Sequence, residues 1–335
     1  MPDVLIAGAS GYAGALAARL VQRHPELHLR AVTSRSDAGR RLSELYPHHR
    51  VDLVLEPIDL DTHSNVDAAI VAYPHGASAP LVAALHERGV RVVDLSADFR
   101  LRDLDVYAAT YGEHGAPQLL GEAVYGLTEL YREQIRTADL VAGPGCFPTA
   151  AILALAPLAR TGKVRGVVVD AKTGVSGAGR AATDTTHFVS VNENVLPYKV
   201  GTHRHTPEIE QEIAVLGAGG VGGLPISFTP HLVPMDQGEL ISAYVDLDGP
   251  LDQDALVALY REAYEDEPFV ELSDQPPGTW DVNATNMCRI HVVAEERTGR
   301  ALVFAAIDNL WKGTSSQAIQ NLNLMFGYPE ETGLW

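Results

Sequence analysis

Apolar and polar positions divide the chain into two regimes. Up to residue 145, short apolar runs alternate with helical stretches. Val4 to Ala7 leads into a helical pattern from Ala15 to Arg23. Strand-like runs follow at His28 to Thr33, Val51 to Leu55, Ala68 to Ala72, Val90 to Asp94 and Leu140 to Ala142, with a second helical stretch from Ser78 to Arg88. Unbroken apolar runs separated by helices belong to strands covered on both faces, and their alternation predicts a doubly wound parallel sheet. Beyond residue 146 the pattern becomes strand-rich. A strand from Val167 runs into a small-residue loop. Further runs at Ile226 to Val233, Leu240 to Leu247, Met287 to Ala294 and Leu302 to Ile307 accompany helical patterns at Leu251 to Tyr264 and Ser315 to Phe326. A mostly antiparallel sheet with helices on one face fits that order. The predicted fold class is α/β: a doubly wound parallel sheet over residues 1–145, followed by an α+β catalytic domain over residues 146–309.

The first strand runs directly into Gly8-Ala9-Ser10-Gly11-Tyr12-Ala13-Gly14. Glycines let the backbone turn tightly and approach a pyrophosphate, which the N–H groups opening the next helix then hold. Gly8, Ser10, Gly11, Tyr12 and Gly14 are therefore candidate cofactor contacts in a Rossmann-type unit. The second strand ends in Ser34-Arg35-Ser36, where an NAD-selective site places a carboxylate for the ribose 2′-hydroxyl. Arg35, with the Ser34 hydroxyl beside it, suits a 2′-phosphate, so the expected cofactor is NADP(H). The competing reading of Ser34 to Arg41 is an ordinary polar loop. Tyr73-Pro74-His75-Gly76 and the run Asp94 to Arg100 follow later strand ends, where open α/β sheets bind ligands. Pro74 is a candidate cofactor contact and Arg100 a candidate substrate contact, against a plainer reading of both segments as loops and caps.

The two regimes meet at Gly143-Pro144-Gly145-Cys146-Phe147-Pro148-Thr149. Gly and Pro punctuation between an apolar run and the helical Ile152 to Leu155 predicts a strand-to-helix turn, with Cys146 at the helix start and Pro148 in the first turn. Backbone N–H groups and the positive end of the helix dipole favour a thiolate there, and can hold an oxyanion. The alternative fate of a free cysteine is that of a small buried hydrophobe.

Downstream, Thr202-His203-Arg204-His205-Thr206-Pro207-Glu208 places two imidazoles and a carboxylate at a helix start, with Thr206 suited to the N-cap and Pro207 to the first helical position. A nucleophilic cysteine with a histidine as general acid/base is the simpler constellation. Zinc ligation by the histidines lacks a second cluster to complete it, so no metal is expected. The loop Gly174-Val175-Ser176-Gly177-Ala178-Gly179-Arg180 offers hydroxyl, backbone N–H and guanidinium groups. Ser176 and Arg180 suit a phosphate or carboxylate of the substrate, and Gly177 a contact with the cofactor; a plain flexible loop is the alternative.

Composition narrows the partners. The 335 residues suffice for two domains with substantial cores. With 43 acidic against 25 basic residues the net charge is −18, which opposes binding to nucleic acid or an anionic membrane, so an anionic ligand needs cations placed locally against that field. Cys146 and Cys288 are the two cysteines. One pair makes no disulfide framework, and without a signal peptide or long apolar span the expected compartment is the cytoplasm.

With these residues in hand, the chain resembles the semialdehyde dehydrogenases nearly end to end, and among them the acyl-phosphate reductases of arginine biosynthesis. The resemblance is carried by the Gly8 to Gly14 turn, Val93 to Arg100, Val124 to Leu127 with Glu129, Gly143 to Thr149, His203 to Glu208, Pro230 to Met235 and Asn309-Leu310-Trp311-Lys312-Gly313. It implies that Cys146 is the nucleophile, that His203 or His205 is the acid/base, and that Glu208 orients an imidazole. It further implies that Asn309 and Lys312 serve the cofactor and that residues 310–335 return to complete the NADP-binding domain. Residues 146–309 would then carry catalysis and the assembly of a homo-oligomer, dimer or tetramer. The implied reaction is NADPH-dependent reduction of a small-molecule acyl phosphate to an aldehyde and phosphate through a cysteine thioester. Aspartate-semialdehyde and aminoadipate-semialdehyde-type dehydrogenases would use the same nucleophile and cofactor, while a non-catalytic NADP sensor would keep the fold alone. One departure is visible. After Pro234-Met235 the family often carries a basic residue before the glycine, whereas this chain has Asp236-Gln237-Gly238, so an anion contact or interface pairing made there is not carried over.

Overall fold

The computed structural model describes residues 1–217 and 224–335. They form two compact units, Met1–Gly145 with Thr314–Trp335, and Cys146–Gly313.

In the first unit, β1 (Asp3–Ala7), β2 (His28–Thr33), β3 (Leu55–Glu56), β4 (Ala68–Val71), β5 (Arg91–Asp94), β6 (Val124–Tyr125) and β7 (Leu140–Ala142) form one sheet in the order β3-β2-β1-β4-β5-β7-β6. Every pairing is parallel. The central strands explain the apolar runs, because Val4 to Ala7 and Ala68 to Val71 are wholly buried. Strand order reverses between β1 and β4, the place where sheets of this kind open a crevice for ligands. The expected strand at Val51 to Leu55 shrinks to Leu55–Glu56. Its main chain bonds instead to the preceding loop, with Leu42 N–H donating to Leu53 O and Leu55 N–H to Arg40 O.

The last helix, Ser316–Met325, belongs to this unit and is buried along its whole length. Several of its polar side chains are paired accordingly. Gln317 Nε2 donates to Thr128 Oγ1, the Thr128 hydroxyl donates to Asn321 Oδ1, and Asn321 Nδ2 donates to Gly126 O, each at 2.9 Å. Ser315 Oγ donates to Ala13 O at 2.9 Å, at the start of the helix that follows the glycine turn.

In the second unit, β8 (Val164–Thr173), β9 (Leu196–Pro197), β10 (Ile226–Leu232), β11 (Glu239–Leu247), β12 (Val270–Leu272), β13 (Cys288–Glu295) and β14 (Arg300–Ile307) form a sheet in the order β12-β13-β14-β11-β8-β10-β9. Most pairings are antiparallel, but β8 with β10 and β12 with β13 are parallel, so the sheet is mixed. A parallel pair requires a long crossover. That between β8 and β10 carries the loop after Thr173, both candidate histidines and the helix Thr206–Leu216. The helix Cys146–Arg160 is buried from Phe147 to Ala159 and contains Pro157. Proline has no N–H to give Leu153 O, and the Tyr264 hydroxyl supplies that donor at 2.6 Å. Among the described residues no helix is long and apolar enough to cross a membrane.

Candidate active site

At the β1–β4 crevice, Gly8 has φ +89°, and a Cβ there would lie 2.5 Å from Ala72 O. A Cβ on Gly14 would lie 2.3 Å from Gly8 O. Packing thus demands glycine at both positions. At Gly11 a Cβ would meet only Gly8 O, at an ordinary 3.8 Å. The protein's own packing leaves room for a side chain there, and a glycine keeps that room open for a group approaching the backbone. No side chain caps the helix Tyr12–Arg23 at Gly11, so its first N–H groups suit an anion. Ser10 Oγ and Ser34 Oγ are 2.8 Å apart. Arg35 lies with its guanidinium 4.9 Å from the centre of the Tyr73 ring, the ring that a Cβ on Gly8 would also touch, and exposed Pro74 follows. The residues picked from three separate stretches therefore meet at one crevice. The acidic side chain of this loop, Asp37, accepts from Ser36 Oγ at 2.8 Å and Arg40 Nη1 at 3.3 Å. These residues fit a nicotinamide dinucleotide.

Arg100 is buried. Its Nε donates to Gly143 O at 2.7 Å and its Nη2 to Leu95 O at 2.8 Å, so it is at least in part a brace for the turn that precedes Cys146.

Cys146 opens its helix and is partly exposed, whereas Cys288 is buried. A Cβ on Gly313 would lie 2.8 Å from Cys146 Cβ, so glycine at 313 gives the thiol room. The next residue, Phe147, has its ring centre 5.7 Å from His203, 6.0 Å from His205 and 5.2 Å from Phe228. The two imidazoles are 4.8 Å apart. His203 Nδ1 accepts the His205 backbone N–H at 3.1 Å, which leaves the proton of the neutral ring on Nε2. Burial, then Lys199 and Arg204, push His203 down to about 4. His203 is therefore neutral at pH 7 and can donate from Nε2. Lys199 and Arg204 also supply the local positive charge that an anionic ligand needs in so acidic a chain.

His205, not Thr206, occupies the N-cap position of the helix Thr206–Leu216. The correction follows from the main chain, since His205 O already accepts from Ile209 N–H at 3.0 Å. Glu208 lies buried in the first turn, three residues on from His205 and so on the same side of the helix.

Depressed basicity has a stability consequence. The unfolded chain binds a proton at His203 below about pH 6.5 while the folded chain resists until about 4, so stability is lost as the pH falls through that window. His203→Asn should remove up to about 3 kcal/mol of that acid loss, read as denaturant unfolding at pH 7 and 4.5. His49, also held down to about 4, mainly by burial, sets a slope that persists in the variant. An identical acid loss in both proteins would show that His203 is not neutral in the native state.

The small-residue loop is organised by Asn309. Its Nδ2 donates to Ser176 Oγ at 3.0 Å and its Oδ1 accepts the Gly238 N–H at 2.8 Å, and a Cβ on Gly177 would lie 3.6 Å from Nδ2. Arg180 is exposed. Lys312 is wholly buried, with Nζ 5.7 Å from the centre of the Phe269 ring. The departure at Asp236-Gln237-Gly238 has a physical account, because the segment works through its backbone. Val175 N–H bonds to Met235 O, Ser176 N–H to Asp236 O and Gly174 N–H to Gly238 O, so the side chains at 236 and 237 are not what holds the loop. Among the described residues, no three His, Cys, Asp or Glu side chains gather as a metal site.

Two residues beside Cys146 escaped the sequence reading. Glu239, wholly buried, opens β11 opposite Thr173 and Ile307. The Cys146 thiol and Thr173 hydroxyl face its carboxyl, which burial pushes up to about 8. The Tyr198 phenol is pushed far above its ordinary value by burial, then by Cys146 and Glu239. Glu239 was legible in principle. It shares the parity of buried Ile241, Ala243 and Val245 along β11, so an acidic residue stands on the core face of a strand. Tyr198, on a crossover without periodicity, carried no such signal.

Fold and site together define a nicotinamide-dependent oxidoreductase with a partly exposed cysteine at a helix start. Residues 3–138 match the semialdehyde dehydrogenase NAD binding domain and residues 146–309 the semialdehyde dehydrogenase dimerisation domain. The N-acetyl-gamma-glutamyl-phosphate reductase of Dehalococcoides mccartyi (strain 195) is 47% identical over 332 residues, covering 98% of this chain and 96% of that protein. That of Rubrobacter xylanophilus is 49% identical over 340 residues, covering 99% and 98%. Among solved structures, aspartate semialdehyde dehydrogenase II of Vibrio cholerae superposes with a TM-score of 0.75 at 17% identity over 98% of both chains, a likeness of fold. The chain belongs to the semialdehyde dehydrogenase family, in its N-acetyl-gamma-glutamyl-phosphate reductase branch.

Proposed function

We propose that the chain reduces N-acetyl-gamma-glutamyl phosphate to N-acetylglutamate semialdehyde and phosphate with NADPH, in arginine biosynthesis. The observation that carries this reading is the partly exposed Cys146 at a helix start with His203 and His205 packed around Phe147. The Cys146 thiolate attacks the acyl carbon, and the oxyanion that forms is met by helix-start N–H groups and by His203 Nε2–H. Expulsion of phosphate leaves a thioester. Lys199, Arg204, Ser176 and Arg180 are the groups for the phosphate and acyl chain. The bound nicotinamide supplies the hydride. Reduction leaves an oxyanion that His205, oriented by Glu208, protonates to the thiohemiacetal hydroxyl; the same imidazole takes that proton back as the C–S bond breaks, releasing aldehyde and thiolate.

The first unit is the NADP-binding domain in this reading, completed by the C-terminal helix, and residues 146–309 form a homo-oligomer interface in a cytoplasmic enzyme. Phosphate-dependent NADP reduction measured with N-acetylglutamate, aspartate and aminoadipate semialdehydes tests the substrate, and preference for either of the other two would reassign it. Arg35 carries the cofactor choice. Arg35→Ala should weaken NADP by about 1.5 to 3 kcal/mol, roughly tenfold to over a hundredfold, with NAD little affected. An unchanged NADP/NAD ratio would remove the basis for NADP selectivity in this loop.

A further inference from the structure

We propose that Cys146 and Glu239 share one proton, so that the thiolate form of the nucleophile is made by transfer from Sγ to the Glu239 carboxylate and is held there by the resulting O–H donor. The proposal rests on the reading of Cys146 as nucleophile and names the group that takes its proton. No other residue so far described does this: His203 is turned to accept through Nδ1 from a backbone N–H, and His205 serves the substrate oxygen.

Geometry is the first support. Glu239 sits on the core-facing parity of β11 with no exposure, and Cys146 and Thr173 face its carboxyl. Ile307, its register partner on β14, touches the position of a Gly313 Cβ, which also lies against Cys146. The carboxyl is thus enclosed on the side of the nucleophile. Neither of its oxygens makes a hydrogen bond of standard geometry within the described residues, and a buried carboxylate in that condition is costly. Taking a proton removes the charge and supplies a donor for a sulfur anion. The step balances: the S–H bond breaks, an O–H bond forms, one negative charge moves from oxygen to sulfur, and nothing is oxidised.

The other ionisable groups around the pair favour the same direction. Asp308 faces Glu239 and opposes a negative charge on it; Asp308 is in turn faced by Asp236 and is itself raised, mainly by burial. Tyr198, facing both Cys146 and Glu239, stays protonated. Burial raises the affinity of Glu239 for a proton well above that of an ordinary carboxylate, toward that of a thiol.

The test is the thiolate absorbance near 240 nm and the rate of iodoacetamide alkylation, each followed against pH in the full chain, with Cys146→Ser subtracted to isolate this thiol. Wild type should show two coupled ionisations. Glu239→Gln, close in shape and able to donate but not to take a proton, should show one. Glu239→Leu, which removes the buried carboxyl, should titrate at higher pH, with thiolate at pH 7 reduced on the order of tenfold or more. Profiles of Glu239→Gln and Glu239→Leu superimposable on wild type would overturn the shared proton. These readings need no substrate. Failure of the nucleophile assignment shows itself separately, as turnover in Cys146→Ser.

Discussion

Cys146→Ser folds, binds NADP and loses at least about three orders of magnitude in turnover. The expectation follows from what the helix start at Cys146 can and cannot do. Its N–H groups and dipole move a thiol toward the thiolate at neutral pH. A serine hydroxyl begins several units higher and stays protonated in the same field. Even if acylated, the oxygen ester is a poorer hydride acceptor than a thioester, so the loss falls on both halves of the reaction. The measurement is steady-state turnover in the phosphate-dependent direction alongside NADP titration, since retained cofactor binding separates lost chemistry from lost fold. A complementary observation comes from wild type. Mixed rapidly with semialdehyde and NADP but no phosphate, it should give a stoichiometric burst of NADPH as the acyl-enzyme accumulates, and Cys146→Ser should give none. Turnover near the wild-type rate in the serine variant would end the covalent mechanism.

The second large effect belongs to the histidines, whose roles in the proposed mechanism differ. His203 has its Nδ1 occupied by the His205 N–H and its basicity depressed to about 4, so it serves as a neutral donor. In the proposed mechanism His205 moves the proton. His205→Asn should lose on the order of 10² to 10⁴ in rate, with the limb of the pH profile due to that base removed. His203→Asn should lose less and keep the limb, because it withdraws a hydrogen bond from the oxyanion without removing the base. Loss of the limb in His203→Asn, with its retention in His205→Asn, would reverse the two roles.

How much of this was readable beforehand depends on what each residue's role rests upon. Strand-helix alternation, the glycine turn and the apolar run of β1 are local patterns, and local patterns survive folding. Cys146 was readable because Gly and Pro mark a helix start wherever they bracket one. The shortening of the strand expected at Val51 to Leu55 was not, since the main chain at Leu53 bonds to the preceding loop and only Leu55–Glu56 joins the sheet. The parallel pairing of β8 with β10 was equally hidden, because it depends on which strand finds which across a long connection. Glu239 shows the third case. Its parity along the strand was in plain view, but only the return of the chain from β10 into β11 sets that buried carboxyl against a thiol from another element.

The close approach of Gly313 to Cys146 has an evolutionary reading. The second unit begins at one of these residues and finishes at the other, and a Cβ on the glycine would come within 2.8 Å of that of the cysteine. Segments whose two ends adjoin are the ones that lineages can insert, trade and transplant between hosts. Here Cys146, both histidines and Glu239 all ride on the transferable piece, whereas the Gly8 to Gly14 turn stays with the host. In the proposed mechanism, recombination at this seam would therefore exchange Cys146, the histidines and Glu239 in one event and leave Arg35 untouched.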